Sequence, residues 1–412
     1  MCRAACSPRR RHSRRLGVVP AAVDRAAARS RTALLTLAHR WSADPAGATG
    51  SGWVPSVVGA EPGGIEPGVR EAGGAEPGVR EPGGPAADVP AGGDLADLRR
   101  WDDLLGGADL AGHGTRRLRR AVRAYRAAGP VGRRRLLPVL AESAQLAGWL
   151  AADAGEVTAA LDAYRLALRA AAAAADPAFA GHVLGSASHL LAGVGDPVGA
   201  LALARAGCAG CRDAASPGLR ALLLHRVAFA AALAGRSRAA RRALDAAART
   251  GGPEPDREPP WLYWLDPAEL AALTGRTLVA LGRPGPAVPL LGPAVGGRER
   301  PRRAAVYGGW LARGHLQLGE VEAACTVAGA ALLDAVRSGS PRAVGQLTEV
   351  RRRLAAHRDE PAARRYAGLL AEARPWLPVR PGNGPGAAGS RPRAAPRAPR
   401  RPRDTTGPVG TG

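Results

Sequence analysis

The chain has no lysine, a single isoleucine (Ile65), a single asparagine (Asn383) and two phenylalanines, and aromatics make up only 4% of its 412 residues. Without lysine, the Gly-x-x-x-x-Gly-Lys phosphate loop is excluded. The five cysteines (Cys2, Cys6, Cys208, Cys211 and Cys325) are too few and too odd in number for a disulfide framework. They fit a reducing compartment, with the cytoplasm as the expected location. Ser13-Arg14-Arg15-Leu16 faintly echoes a twin-arginine signal, but Pro20, Asp24 and Arg25 interrupt the apolar stretch after it. A membrane-length apolar run is missing too: the longest uncharged stretch, 177–195, contains His182, Ser186, Ser188, His189 and four glycines. That is too polar for a spanning helix. There is no His-Glu-x-x-His pair, no Gly-x-Ser-x-Gly elbow and no glycine turn between a strand and a helix. The expected protein is therefore non-enzymatic, with no cofactor or metal assigned.

Alanine, glycine, arginine and proline dominate instead. The net charge of +23 is unevenly placed. Residues 1–60 carry ten arginines against Asp24 and Asp44, and residues 376–412 carry seven against Asp404, which leaves +9 for residues 61–375. Such Arg-rich tails are expected to bind nucleic acid weakly, without sequence preference and by counterion release. Between them lies a ten-residue repeat, Glu66-Pro67-Gly68-Val69-Arg70-Glu71 recurring as Glu76-Pro77-Gly78-Val79-Arg80-Glu81. It is too poor in apolar residues to offset backbone ordering entropy. The chain thus divides into three regions: 1–93, a mostly disordered basic segment and linker with one short helix at 31–41; 94–376, a helical domain; and 377–412, a disordered Pro/Arg-rich tail.

Within the helical region one frame recurs. Gly155, Gly195, Gly235, Gly282 and Gly319 each end an apolar segment, at spacings of 40, 40, 47 and 37 residues. Five positions after each stands an alanine (Ala160, Ala200, Ala240, Ala287, Ala324), and nine positions after stand Tyr164, Ala204, Leu244, Leu291 and Ala328. A glycine permits a tight helix–helix turn, and a small residue five positions on lets the two helices approach closely. The frame predicts an all-α solenoid of about five helix pairs, with turns at the five glycines. The half-repeat Gly–x4–Ala–x3–(Tyr/Leu)–x2–Ala resembles the second half of a tetratricopeptide repeat.

Two clusters have chemical potential. Cys208-Ala-Gly-Cys211 has dithiol spacing, but there is no second pair to complete a zinc site and no strand context for a redox motif, which favours small packing residues. Pro259-Pro260-Trp261-Leu262-Tyr263-Trp264-Leu265 gathers three scarce aromatics ahead of Asp266-Pro267, a good helix start. Trp261, Tyr263 and Trp264 either plug the widened repeat between Gly235 and Gly282 or anchor a ligand in the solenoid groove. His182 and His189, seven apart, share a helix face and either line that groove or serve structure.

Three stretches, Leu98-Arg99-Arg100-Trp101-Asp102-Asp103-Leu104-Leu105-Gly106-Gly107, residues 140–155 around Trp149 and Asp153, and residues 260–266, together resemble the C-terminal sensor region of actinobacterial Cro/repressor-type helix-turn-helix regulators with tetratricopeptide-like repeats. The resemblance covers roughly 95–375. It implies a transcriptional regulator whose helical array takes a protein or peptide partner, or a small apolar ligand, in its groove. It also implies a helix-turn-helix, yet residues 1–60 offer no run with the small residue, turn glycine and core aliphatics that such a reader needs. The DNA-reading unit is therefore expected to be missing, or to lie ahead of a misassigned start.

Overall fold

A computed structural model describes residues 25–47, 92–295 and 300–378. The Arg9–Arg15 and Arg391–Arg403 runs and the ten-residue repeat lie outside them. The described residues form fifteen α-helices and no strand. These are α1 (Arg25–Ala43), α2 (Gly92–Leu104), α3 (Gly107–Ala127), α4 (Pro130–Ala154), α5 (Val157–Ala173), α6 (Pro177–Gly193), α7 (Pro197–Gly210), α8 (Pro217–Leu233), α9 (Ser237–Ala248), α10 (Pro267–Ala280), α11 (Pro284–Val295), α12 (Pro301–Leu318), α13 (Val321–Ser338), α14 (Pro341–Leu354) and α15 (Pro361–Ala373). Consecutive helices pack as pairs, making an all-α solenoid whose five central pairs run from α4/α5 to α12/α13. Among the described residues no helix is long and apolar enough to cross a membrane.

Helix boundaries obey local chemistry. Asp176, Asp196, Ser216, Asp266 and Ser340 each precede a proline, and each side chain accepts the backbone N–H three residues on. The side chain thus satisfies an orphan donor, while proline sits where no N–H is needed. At the other end of the inner helices, Gly155, Gly195, Gly235, Gly282 and Gly319 have φ of 87, 85, 72, 70 and 83°. A side chain would strain that left-handed conformation. Each lies between the first and second helix of a pair.

Five residues past these glycines, Ala160, Ala200, Ala240, Ala287 and Ala324 are fully buried. In two frames the position nine residues past packs directly on the position seven before. Where the outer helix carries the large Tyr164 or Leu291, the inner helix offers Gly148 or Gly275, and a Cβ there would stand 2.9 Å from the Tyr164 ring or 2.7 Å from Leu291 Cγ. Where the outer residue is Ala204 or Ala328, the inner position is Ser188 or Ala312. In the remaining frame the residues are Leu244 and Ala228, and Leu244 is only half-buried, so glycine stands at the inner position where the large outer side chain is fully buried.

The helix expected over 31–41 is longer, and it belongs to the fold. α1 lies across α5 and α7 on the outer side of the solenoid. Its 34/37/38/41 stripe is buried, Ser30 Oγ donates to Asp162 at 2.7 Å, and Arg31 pairs with Asp196. Trp41 packs on the end of α7, where a Cβ on Gly210 would fall 2.3 Å from the indole. Four apolar positions are too few for a stable helix on their own; the surface of α5 and α7 supplies the missing burial. The Gly235–Gly282 repeat also differs in detail. α9 ends at Ala248 and residues 249–266, which carry the aromatic cluster, form a connector with two short 3-10 turns.

Gly210→Ala is expected to destabilise the protein by several kcal/mol, of the order of other overpacking and core defects. In a Trp41→Ala background the same change should cost less than about 0.5 kcal/mol, because the atom it would strike has gone. Urea denaturation of the double-mutant cycle measures both; additive costs would mean that α1 is not docked through Trp41.

Candidate functional site

The inner helices α4, α6, α8, α10, α12 and α14 present one face each to a concave cavity of about 130 Å3. α2 and the 249–266 connector close two of its sides. The wall includes all three aromatics of the connector. Trp261 is buried, edge-on to Phe179 at 5.3 Å and tilted over His182 at 4.6 Å. Trp264 is half-buried against the core, and Tyr263 is exposed, its hydroxyl donating to the Arg99 carbonyl at 2.8 Å. Trp261 therefore packs the core and lines the cavity at once, so the two readings of the cluster are not exclusive. His182 and His189, on one face of α6, also line it.

The sequence alone did not assemble the charge of this cavity. Seven arginines line it, from five helices and the segment before α12: Arg99, Arg226, Arg276, Arg300, Arg302, Arg303 and Arg342. Five have carboxylate partners. Arg99 meets Glu142 at 2.7 Å, Arg302 meets Asp102 at 2.6 Å, and Arg342 meets Asp153 at 3.0 Å. Arg303 meets Glu269 at 3.0 Å and Asp266 at 3.2 Å, and Arg300 meets Asp266 at 3.6 Å. Each arginine is remote in sequence from most of the others, and isolated arginines on amphipathic helices ordinarily read as solvated faces.

The carboxylates are organised in turn. Asp153, at the end of α4, is fully buried and accepts from the Gly107 amide at 2.7 Å and the Ser340 hydroxyl at 3.0 Å. Burial pushes its carboxyl up, but Arg342, Arg302 and those two donors outweigh it and hold the group below its ordinary value. Asp102 accepts from Trp149 Nε1 at 2.9 Å as well as from Arg302. Burial dominates there: despite Arg302, and with Asp153 adding repulsion, its pKa rises to about 6. Trp149 is stacked on His189 at 5.7 Å with the Arg342 guanidinium over it at 4.8 Å. Arg342 donates to His189 Nε2 at 3.2 Å, and since arginine only donates, that nitrogen accepts.

Cys208 and Cys211 lie elsewhere, at the end of α7. Burial pushes their thiols up to about 11 and about 12, away from thiolate chemistry, and Cys211 packs where a Cβ on Gly181 would be 2.6 Å from its sulfur.

The buried histidines set an acid limit. His182 and His225 are held neutral, each at about 3, by burial first and then by neighbouring guanidiniums: Arg99 and Arg226 for His182, Arg276 and Arg226 for His225. His189 is depressed for the same reasons. A depressed histidine contributes stability that is fully present above the unfolded value of 6.5 and is lost as pH falls from there toward 3. From pH 7 to pH 5 each such histidine should cost about 2 kcal/mol. Asp102, raised rather than lowered, acts in the opposite sense below pH 6 but is one group against three. Urea midpoints at pH 7, 6 and 5 should fall steadily, and His182→Gln should remove about one proton from the slope; a pH-independent midpoint would contradict the buried neutral ring. Comparison of the chain with protein-family models, curated proteins and solved structures finds no match.

Proposed function

We propose that this chain is the ligand-sensing or partner-binding helical array of a transcriptional regulator of the tetratricopeptide-like kind, acting by binding rather than by catalysis. The observation that supports this reading is the cavity's construction. Its wall is shared among six inner helices, α2 and the connector, so a single occupant touches nearly every repeat. In a solenoid each repeat contacts chiefly its neighbours, and curvature results from small rotations between them. An occupant that prefers one curvature shifts the whole array by its differential affinity, which is what a sensor requires. The aromatics suit the contact: Trp264 and Tyr263 offer area beside a polar floor.

Trp264 separates binding from folding better than Trp261 does. Trp264→Ala should cost only about 1–2 kcal/mol, as a half-buried side chain, whereas Trp261→Ala should cost about 3–5 kcal/mol as a buried large-to-small change. Fractionated extract of small molecules and peptides, screened by thermal shift, should contain a component that raises the wild-type midpoint and not that of Trp264→Ala. If every stabilising fraction acts equally on both, the groove reading fails.

A second reading, contact with nucleic acid, rests on a different surface. Between Leu110 and Ala141 the chain has nine arginines and no acidic residue. Arg116, Arg119, Arg123, Arg126, Arg133, Arg134 and Arg135 are exposed along α3 and the start of α4. Such a surface neutralises phosphates without reading bases. Full-length protein should bind random duplex DNA with an affinity that collapses between 50 and 200 mM salt, on the order of the 10³-fold loss typical of several phosphate contacts. Replacing Arg119, Arg123 and Arg126 by serine should flatten that slope; an unchanged slope assigns the binding to the Arg9–Arg15 and Arg391–Arg403 runs.

A further inference from the structure

Of the seven arginines around the cavity, two have no ion-pair partner among the described residues: Arg226 on α8 and Arg276 on α10. Both are almost completely buried, at 5% and 3% exposure. Nε of Arg226, and Nε and one terminal nitrogen of Arg276, have no hydrogen-bond acceptor within the protein. The two guanidiniums also repel each other: burial first, then Arg276, lowers Arg226 to about 9, which still leaves it charged at neutral pH. Glu269, the carboxylate whose charge reaches both, is already engaged by Arg303 and by the Tyr307 hydroxyl. Asp266 is likewise occupied by Arg300, Arg303 and the Glu269 amide.

A buried charge is tolerated only when it is paired and hydrogen-bonded, and a buried pair of like charges is costlier still. Here the cost is not relieved within the protein, although the side chains are well held. The Arg276 guanidinium lies over the Phe229 ring at 4.4 Å, which orients its fork. Both arginines line the same cavity, and His189, with an orphaned Nδ1, lines it beside them. The arrangement has the features of an anion site awaiting its anion: fixed donors, low dielectric and two uncompensated positive charges.

We infer that Arg226 and Arg276 bind the phosphoryl group of a small organic phosphate, whose apolar part lies against Trp261 and Trp264. A phosphoryl dianion carries nearly two negative charges and three acceptor oxygens, matching two guanidinium forks where a single carboxylate would leave one charge over. The cavity volume of about 130 Å3 suits a small molecule rather than a folded partner. The assignment rests on the reading of this cavity as the sensor site and gives that site its ligand chemistry.

The test uses the full chain and three probes: inorganic phosphate, phenyl phosphate and neutral benzyl alcohol. Isothermal titration calorimetry should show phenyl phosphate binding at least about tenfold more tightly than inorganic phosphate, with benzyl alcohol weaker than both. Arg226→Met and Arg276→Met should each weaken phenyl phosphate by about a hundredfold while raising the melting temperature of the ligand-free protein, because each removes an unpaired buried charge. That opposite movement of stability and affinity separates a ligand-binding role from a structural one. Melting temperatures that fall in both variants, with phosphate binding unchanged, would overturn the inference. Benzyl alcohol binding as tightly as phenyl phosphate, in wild type and variants alike, would overturn the anion assignment but keep the cavity as a ligand site. Binding of no probe would also overturn it, leaving the sensor reading to stand or fall on the Trp264→Ala comparison.

Discussion

The buried carboxylate of Asp153 ties the two ends of the solenoid together. It sits at the last turn of α4, yet its partners come from the start of α3, the cap of α14 and the first turn of α14. Ser340 serves both sides of that junction, donating to Asp153 and accepting the Ala343 amide that opens α14. An open stack of helix pairs would leave its inner faces in water. Here the stack curls until α14 meets α4 and α2 meets α12, and the inner faces enclose a cavity. A fully buried carboxylate is costly unless several donors converge on it, so the closed geometry is the one in which Asp153 is satisfied.

Closure sets the electrostatics of everything inside. Once water is largely excluded, each guanidinium on the inner face needs a carboxylate, and the structure supplies Asp102, Asp153, Asp266 and Glu269 from elements far apart in the chain. Trp149 is the mechanical link: its indole N–H holds Asp102, and its faces carry His189 and Arg342. The same exclusion of water keeps His182 and His189, which line the cavity, neutral. Rigidity, charge balance and acid sensitivity are thus three consequences of one closed shape. The arginines that this balance omits are the ones from which a ligand chemistry can be inferred.

Much of the fold is carried by local signals. The Asp-Pro and Ser-Pro helix starts act within four residues, and the left-handed glycines within one turn, so both are visible in a linear chain. The alanines five residues beyond each glycine are legible for a similar reason: helix pairs of one repeat are neighbours in sequence as well as in space. The scarcity of large aromatics makes Trp261, Tyr263 and Trp264 conspicuous, and all three reach the cavity wall.

Other features depend on contacts that span the molecule. α1 is marginal by its own sequence because its four apolar positions are paired with partners more than a hundred residues away, on α5 and α7. The cationic cavity is hidden for the same reason, since a lone arginine on a helix face has the same local sequence whether it meets solvent, a carboxylate or another arginine. Even the exchange of volume between Gly148 and Tyr164 shows in sequence only once the pairing of α4 with α5 is known. The amino-acid sequence by itself determined the helices, their caps, their turns and the repeat that stacks them, because those depend on interactions within one or two turns of chain. Tertiary structure alone decided that the stack closes, which charges are paired and which two arginines are left over, because electrostatics in a water-poor interior depends on distance through space and not along the chain.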